Sequence, residues 1–125
     1  MMHTRVVSDD GLRCAPSGFA IDVRLPWYRS LPLSVVEVKA VEIDDQAIEL
    51  DRVRFELNGA RRALSELRPR TGDFWFVLDS ALLHVEHAPL APGSRHEVAV
   101  TIAIRPPYVP GYQRITRTQK TLVAR

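Results

Sequence analysis

Residues 98–104 read Val-Ala-Val-Thr-Ile-Ala-Ile, and this stretch decides the fold class. A large β-branched side chain occupies every second position, with a small or polar residue between, which is the pattern of a strand with one buried face. Similar alternation occurs at 19–25 and 53–57. Because proline cannot donate a ladder hydrogen bond, Pro26 and Pro106 are expected to end the strands that precede them. The sequence therefore predicts a chain built from half-buried strands.

Turn signals separate these strands. Asn58-Gly59 follows one alternating stretch directly, and it is a strong hairpin signal because both residue types tolerate positive φ. Residues 65–67 give the only suggestion of a helical turn. Short strands separated by turns about 8–12 residues apart indicate an all-β chain, a single antiparallel β-sandwich of seven or eight strands with little or no helix. Further strands are predicted at 35–43, 48–50, 60–64, 74–78 and 82–86.

Length and composition indicate one globular domain. The chain has 125 residues, of which 46% are hydrophobic and 26% charged, so it can bury one core without a metal or disulfide. The core is predicted at about residues 18–105, followed by a basic extended segment at 106–125. Cys14 is the single cysteine, which excludes a disulfide framework and a cysteine-rich zinc site.

Positive charge is concentrated at the C-terminal end. The last acidic residue is Glu97, and the residues after it include five cations, so residues 98–125 carry a charge of +5. Nucleic acid is not favoured as a partner, because no recognition helix and no aromatic stacking platform accompany these charges. Two interpretations stay open, a solvated terminal strand and an arm that docks on an acidic partner.

No membrane segment is predicted. The sequence has no run of 18 apolar residues, and residues 1–5 lead into polar residues without the apolar core of a signal peptide. With a lone cysteine, this favours a cytoplasmic protein that has no membrane partner.

The chain shows no recognisable catalytic or metal-binding motif. His84 and His87 are three positions apart near one strand, where period two places them on opposite faces, a poor geometry for a shared metal. Ser17 and Ser94 lie in predicted turns without a nucleophile elbow, and no glycine-rich phosphate loop occurs. We therefore predict no catalytic residue, no metal ligand and no cofactor on this chain.

Two loops carry more aromatic residues than loops usually do. Residues 24–34 contain two aromatic residues, two arginines and two prolines, and residues 106–112 form a second proline-aromatic segment. Such residues either pack against the ends of the sandwich itself or form a docking surface for another subunit. The candidate residues for contact with a partner or a substrate pocket are Arg24, Trp27, Tyr28 and Arg29, with Tyr108 and Tyr112 as second candidates.

Several of these residues belong to a longer characteristic order. It begins with Gly18-Phe19, Arg24, Pro26, Tyr28-Arg29 and Pro32-Leu33-Ser34, and it continues with Phe55, Asn58-Gly59, Leu64–Leu67, Trp75-Phe76, Leu90–Gly93, His96–Val98 and Tyr108–Pro110. This order resembles a known family, the small β subunit of bacterial C-glycoside deglycosidases. The resemblance spans about residues 9–110, and two features depart from it: Trp27, where a tyrosine is expected, and a longer basic tail.

The resemblance implies a carbon–carbon lyase made of two kinds of subunit. In such enzymes the α subunit is similar to sugar isomerases, a (β/α)₈ barrel with a divalent metal, often manganese. The substrate is a 3-oxo-C-glycoside of a flavonoid or anthraquinone, and the bond is cleaved by β-elimination. This chain would then stabilise the complex and shape the pocket without being catalytic itself.

Two other interpretations are open on the sequence. The chain could be a stand-alone carbohydrate- or ligand-binding β-sandwich, which should retain a sugar alone and without metal. It could also be a structural module that self-associates through an edge strand. A gene for an isomerase-like barrel beside this one would favour the subunit interpretation over both.

Overall fold

The computed structural model describes residues 6–125, and these form an antiparallel all-β fold, which confirms the predicted fold class. Three 3₁₀ turns of three residues are its only helical elements, at Leu33–Val35, Leu50–Arg52 and Leu64–Glu66. The strands are β1 (Val7–Ala15), β2 (Gly18–Arg24), β3 (Leu31–Pro32), β4 (Val36–Ile43), β5 (Gln46–Ala47), β6 (Val53–Leu57), β7 (Ala60–Ala63), β8 (Phe74–Trp75), β9 (Ser80–Glu86), β10 (Arg95–Ile104) and β11 (Arg114–Val123).

Two main sheets enclose the core. One has the strand order β1-β2-β9-β6-β7 and the other β11-β10-β4-β5, while β3 and β8 form a separate short pair. The alternating residues predicted from the sequence face inward, so that Phe19, Phe55 and Ile102 are almost fully buried. Trp75 is also buried, and its ring meets Phe55 edge-on at 5.4 Å between centroids. The core is thus formed by both sheets and closed by the short β3–β8 pair.

The first and last strands meet at one edge of the sandwich. The Cys14 N–H donates to the Arg125 carbonyl oxygen at 2.7 Å, and the Arg125 N–H donates to the Leu12 carbonyl oxygen at 3.2 Å. Further along, the Val6 N–H donates to Thr118 Oγ1 at 3.2 Å. These bonds give the edge groups of β1 and β11 partners within the chain, which removes an exposed edge.

Two predicted strands differ from the observed ones. In place of the strand expected at 48–50, the structure has the two-residue strand Gln46–Ala47. Asp44 and Asp45 form a tight turn with φ of 50° and 64°, so the chain reverses direction directly after β4 and pairs with it earlier than expected. The strand expected at 74–78 ends at Trp75. Beyond it the Val77 N–H donates to the Ser30 hydroxyl at 3.1 Å, so a side chain replaces a ladder partner.

The C-terminal segment is part of the sandwich, so the core extends beyond residue 105. β11 pairs with β10 over ten residue pairs, and Thr116, Thr118, Leu122 and Ala124 are buried on its inner side. Three of the basic side chains of the C-terminal segment have acidic partners within the chain, which supports the interpretation as a solvated terminal strand. The ion pairs are Lys120–Asp9 at 2.6 Å, Arg125–Asp10 at 2.8 Å and Arg117–Glu42 at 3.4 Å.

Within residues 6–125, no helix has the length and apolar character needed to cross a membrane.

Candidate partner-binding site

Two loops leave the sheets at the same end of the sandwich. Residues 25–30 follow β2 in one sheet, and residues 105–113 join β10 to β11 in the other. The loops touch through Trp27, whose indole N–H donates to the Tyr108 hydroxyl oxygen at 2.5 Å across 81 positions of sequence. The two candidate segments that the sequence singled out separately therefore form one surface.

Five side chains from these loops form what we call the aromatic–arginine cluster: Trp27, Tyr28, Arg29, Tyr108 and Tyr112. The Trp27 ring lies 4.9 Å from the Tyr28 ring and 6.0 Å from the Tyr112 ring, between centroids, with tilts of 43° and 42°. The Arg29 guanidinium carbon lies 5.5 Å from the Tyr108 centroid and 6.0 Å from that of Tyr28, within cation–π range. The cluster is thus held together by ring contacts and one cation.

Most of this cluster faces solvent. Tyr28 is 65% exposed, Tyr108 45% and Tyr112 39%, and Arg29 is exposed as well. Trp27 differs, because it is half-buried and packs partly against the core. Packing of the loops against the chain itself therefore covers much of Trp27 but leaves ring surface of the three tyrosines exposed. Exposed Tyr, Trp and Arg side chains are typical of surfaces that bind other proteins.

The two phenols that face Arg29 interact with each other. The hydrogen bond with the Tyr108 hydroxyl raises the pKa of Tyr28 above its ordinary value of 10.0, while the nearby Arg29 charge acts in the opposite direction. Tyr28 is thus a neutral phenol at physiological pH and can donate or accept a hydrogen bond at a partner's surface.

Arg24 lies beside the cluster, in an adjoining cleft. Its guanidinium donates to the Leu78 carbonyl oxygen at 2.9 Å, which joins the end of β2 to the segment before β9. The cleft has a volume of about 520 Å³, and Arg24, Trp27, Tyr28 and Leu78 are among its lining residues. All six candidate residues therefore lie at one end of the sandwich, five in the cluster and Arg24 next to it.

Sequence reasoning missed a further set of exposed apolar side chains at this end. Phe74, Phe76 and Leu78 are 42%, 55% and 82% exposed, and the two phenylalanine rings stack at 6.4 Å with an interplanar angle of 30°. The signal was the run of five apolar residues at 74–78. Since Trp75 and Val77 pack toward the core, the alternate side chains must point away from it.

The opposite end carries a polar array with the composition of a hydrolase triad. His96 Nε2 lies 2.8 Å from Ser94 Oγ, and His96 Nδ1 lies 2.7 Å from an oxygen of Asp44. The Ser94 hydroxyl, however, donates to the Ala91 carbonyl oxygen at 2.5 Å, so its proton is not directed at the imidazole. Hydrogen bonds from His96 and from the Glu97 N–H lower the pKa of Asp44, and the array stabilises the surrounding turns.

No metal centre is formed among residues 6–125, where no three His, Cys, Asp or Glu side chains are grouped to hold an ion. His84 Nε2 lies 2.6 Å from a Glu56 oxygen, and His87 Nδ1 lies 2.8 Å from the Ala88 carbonyl oxygen, so both rings have local partners. His3 lies outside the described residues. The described donor set does not fit a divalent metal.

Comparison with known proteins identifies the family. A family model described as C-glycoside deglycosidase beta subunit matches residues 2–108. The chain belongs to this family. It is 42% identical over 110 residues, 88% of the chain and 83% of the relative, to the 3'-dehydrocarminate deglycosidase beta subunit of Microbacterium sp.. It is also 34% identical over 109 residues, 87% of the chain and 82% of the relative, to a C-glycoside deglycosidase beta subunit of Microbacterium trichothecenolyticum.

Family membership confirms the resemblance seen in the sequence, and it supports a role as one subunit of a deglycosidase with an alpha-type partner chain. The family match includes Trp27, Tyr28, Arg29 and Tyr108, whereas Tyr112 lies beyond its end at residue 108. Most of the aromatic–arginine cluster is therefore built from the part of the chain that matches the family.

Proposed function

We propose that this chain is the non-catalytic β subunit of a cytoplasmic C-glycoside deglycosidase, a carbon–carbon lyase that acts on 3-oxo-C-glycosides. The catalytic base and metal would belong to an α subunit with a sugar-isomerase-like (β/α)₈ barrel. The observation that carries this proposal is the solvent-facing aromatic–arginine cluster, on a chain whose described residues form no metal centre.

The reaction explains why a partner is needed. A C-glycosidic bond has no leaving oxygen to protonate, so the two-carboxylate route of O-glycosidases does not apply. A ketone at C3 of the sugar acidifies the proton on C2, and a base can remove it. The electron pair then expels the aglycone carbon, which takes up a proton, and water adds to the unsaturated sugar. The products are a 3-oxo-sugar and a free aromatic aglycone.

A divalent metal, manganese in our proposal, would stabilise the developing enediolate oxygens as a Lewis acid. Nothing among residues 6–125 fits that role, since no group of ligands is present. We therefore assign the metal and the base to the α subunit, and to this chain we assign complex stabilisation and one wall of the pocket at the barrel's open face.

The substrate class is supported by the name of one relative. The Microbacterium sp. protein is named for 3'-dehydrocarminate. A 3'-dehydro sugar carries a carbonyl at C3 in place of the hydroxyl. The elimination requires this carbonyl, because it acidifies the neighbouring C–H bond. We extend this requirement to the present chain and propose a C-glycoside of the flavonoid or anthraquinone type, oxidised at C3 before it reaches the complex.

The test is co-expression with an isomerase-like barrel protein, sought first among the neighbouring genes, followed by co-purification and cleavage of a 3-oxo-C-glucoside. The double variant Tyr28→Ala with Arg29→Ala should bind the α subunit at least about thirtyfold more weakly, because buried aromatic and arginine contacts dominate the binding energy of interfaces. Both side chains are exposed in the isolated chain, so its fold should be retained.

A matched control removes one exposed apolar side chain and one exposed arginine at the opposite end of the sandwich. Arg95 and Val123 are paired across β10 and β11, and both are exposed. Arg95→Ala with Val123→Ala should leave the complex intact. Wild-type complex formation and turnover by the Tyr28/Arg29 variant would exclude this surface from the interface. Metal-dependent cleavage by the isolated chain would contradict the division of roles itself.

A further inference from the structure

We propose that the cleft beside the aromatic–arginine cluster is a binding site for a small planar aromatic anion, a carboxylate or phenolate. The site belongs to this chain and goes beyond the role of the cluster in binding a partner. The cleft has a volume of about 520 Å³, within the range of about 300–1,000 Å³ for small-molecule sites.

The cleft is apolar in its interior. Val7 and Leu25 are almost fully buried and contribute to its lining, and Val77 packs partly against the core. Trp27 and Tyr28 contribute aromatic surface, with centroids 4.9 Å apart and a tilt of 43°. Aromatic faces beside buried aliphatic side chains favour a flat ring system that can stack, rather than a sugar or a flexible chain.

Charge at the cleft favours an anion. Arg24 and Lys120 contribute two cations to its lining, against the single carboxylate of Asp9. The Arg24 guanidinium has five N–H donors and is fixed by its bond to the Leu78 carbonyl oxygen, so further donors can serve a ligand. Lys120 Nζ lies 2.6 Å from Asp9, and the two side chains are 22% and 82% exposed. Because the carboxylate of this pair is open to water, a ligand anion can compete with it for the ammonium group.

Rigid positioning distinguishes this cleft from a surface depression. Its residues come from β1, from the end of β2 with the loop that follows it, from the segment before β9 and from β11, so four separate parts of the sandwich define it. The Trp27 indole is held by Tyr108 at 2.5 Å, and Arg24 by Leu78. A ligand therefore meets a largely preformed site, and little ordering of side chains opposes binding.

The experiment is an amide-NMR titration of the full chain with 2-naphthoate, and with 2-naphthamide as the neutral isostere. We expect shifts confined to residues around 7–9, 24–28, 77–78 and 120. Binding of 2-naphthoate should be at least about tenfold tighter than that of the amide, because a hydrogen bond to a charged acceptor is the stronger one. Shifts spread evenly over the chain, or equal affinity for both compounds, would overturn the proposal.

Matched variants locate the site. Leu78→Glu places a negative charge on a cleft residue that is 82% exposed, and should weaken 2-naphthoate about tenfold or more. Ile115→Glu changes an exposed residue outside the cleft and should stay within about twofold of wild type. Arg24→Gln should weaken 2-naphthoate but leave 2-naphthamide unchanged. A retained amide spectrum verifies the fold of each variant.

The assembled complex separates this proposal from the proposed function. If the α subunit binds while 2-naphthoate still binds with unchanged affinity, or more tightly, both proposals stand. If adding the α subunit abolishes 2-naphthoate binding, the cleft belongs to the protein contact and the small-molecule assignment is wrong. Should the α subunit fail to bind while the NMR shifts appear as expected, only the proposed function is lost.

Discussion

The two ends of the sandwich are built differently. At one end lies the polar array around His96, which we call the histidine array, and its polar groups bond within the chain. Asp44 accepts from His96 and from the Glu97 N–H, and the Ser94 hydroxyl donates to a backbone carbonyl. At the other end Tyr28 and Phe76 expose more than half of their surface. The comparison shows that the end we propose as the partner-binding surface is distinguished by uncovered aromatic area rather than by unusual charge or reactive groups.

Loop anchoring differs in the same way. The loop at 87–94 exchanges backbone bonds with the C-terminal end, from the Gly93 N–H to the Ala124 carbonyl oxygen and from the Ala124 N–H to Ser94, both at 2.8 Å. In the loop at 105–113, only the first residue is anchored from outside, where the Arg105 N–H donates to the Val35 carbonyl oxygen at 2.9 Å; the backbone bonds of Val109 and Tyr112 close local turns. The histidine array thus lies on backbone that is fixed from outside, whereas the aromatic rings are held mainly by one another.

The largest expected effect compares one glycine from each end. A Cβ at Gly18 would lie 1.8 Å from the Val85 carbonyl oxygen at a φ of 153°, whereas Gly111 has a φ of 79° with nothing within 4 Å. Gly18→Ala should lower the free energy of unfolding by about 3–5 kcal/mol, through backbone strain and overpacking together. Gly111→Ala should cost about 1 kcal/mol. Urea denaturation measures both, and equal losses would show that the ends do not differ in this way.

The next effect concerns binding. Trp27→Ala removes the ring that contacts both Tyr28 and Tyr112 and the donor to Tyr108. We expect affinity for the α subunit to fall about thirtyfold, since an anchor of this type contributes about 2 kcal/mol. The half-buried indole should contribute only about 1 kcal/mol to folding. Calorimetry of the complex and urea denaturation of the chain separate the two values. A variant that loses stability but binds normally would make Trp27 purely structural.

At the histidine end, Asp44→Asn should lower stability by about 1 kcal/mol near neutral pH, discounted for the exposure of Asp44, and should leave partner binding unchanged. The pKa of Asp44 is lowered from 3.8 by the hydrogen bond with His96, then by that of the Glu97 N–H. The carboxylate therefore contributes its full stabilisation above about pH 4, and this is lost as the pH falls through the lowered pKa.

The check is the difference in unfolding free energy between wild type and Asp44→Asn across this pH range. It should shrink on acidification. In a His96→Gln background the main cause of the pKa shift is absent, so Asp44→Asn should lower the free energy of unfolding by a smaller amount. A difference that stays constant into strong acid would contradict this assignment.

The smallest effect tests the phenol pair in the cluster. Tyr108→Phe removes the hydroxyl that raises the pKa of Tyr28, so the Tyr28 pKa should move back toward 10. Because the raised pKa belongs to the folded state, the contribution is present below pH 10 and lost as the pH rises through the folded value. Ultraviolet titration of the phenolates gives the direction of the shift. An unchanged titration would show that the two hydroxyls do not interact.

Strand alternation made most of the fold predictable, because period two reports the buried face of each strand directly. It worked best for residues 98–104, and it was less reliable where few residues alternate, as at 48–50. The C-terminal segment was harder to assign because its inner face carries Thr116 and Thr118, which are buried without looking apolar in the sequence.

The candidate site was predictable in composition but not in assembly. Aromatic and arginine residues in proline-containing loops identified both segments. No local sequence pattern, however, predicts that Trp27 and Tyr108 are in contact across 81 positions. That contact depends on strand order in two different sheets. The outward direction of Phe76 likewise depends on which side chain of the run at 74–78 reaches the core, and this is decided by packing around Trp75.

The two indoles give the molecule a pair of built-in optical reporters. Trp75 is fully buried, with its N–H donated to the Asp79 carbonyl oxygen at 2.8 Å, whereas Trp27 is half-buried among the tyrosines. Acrylamide should therefore quench Trp27 selectively, while the emission of Trp75 changes only when the chain unfolds. Time-resolved fluorescence on a single unlabelled sample can then follow two events separately: burial of Trp27 when a partner covers the surface, and exposure of Trp75 when the chain unfolds.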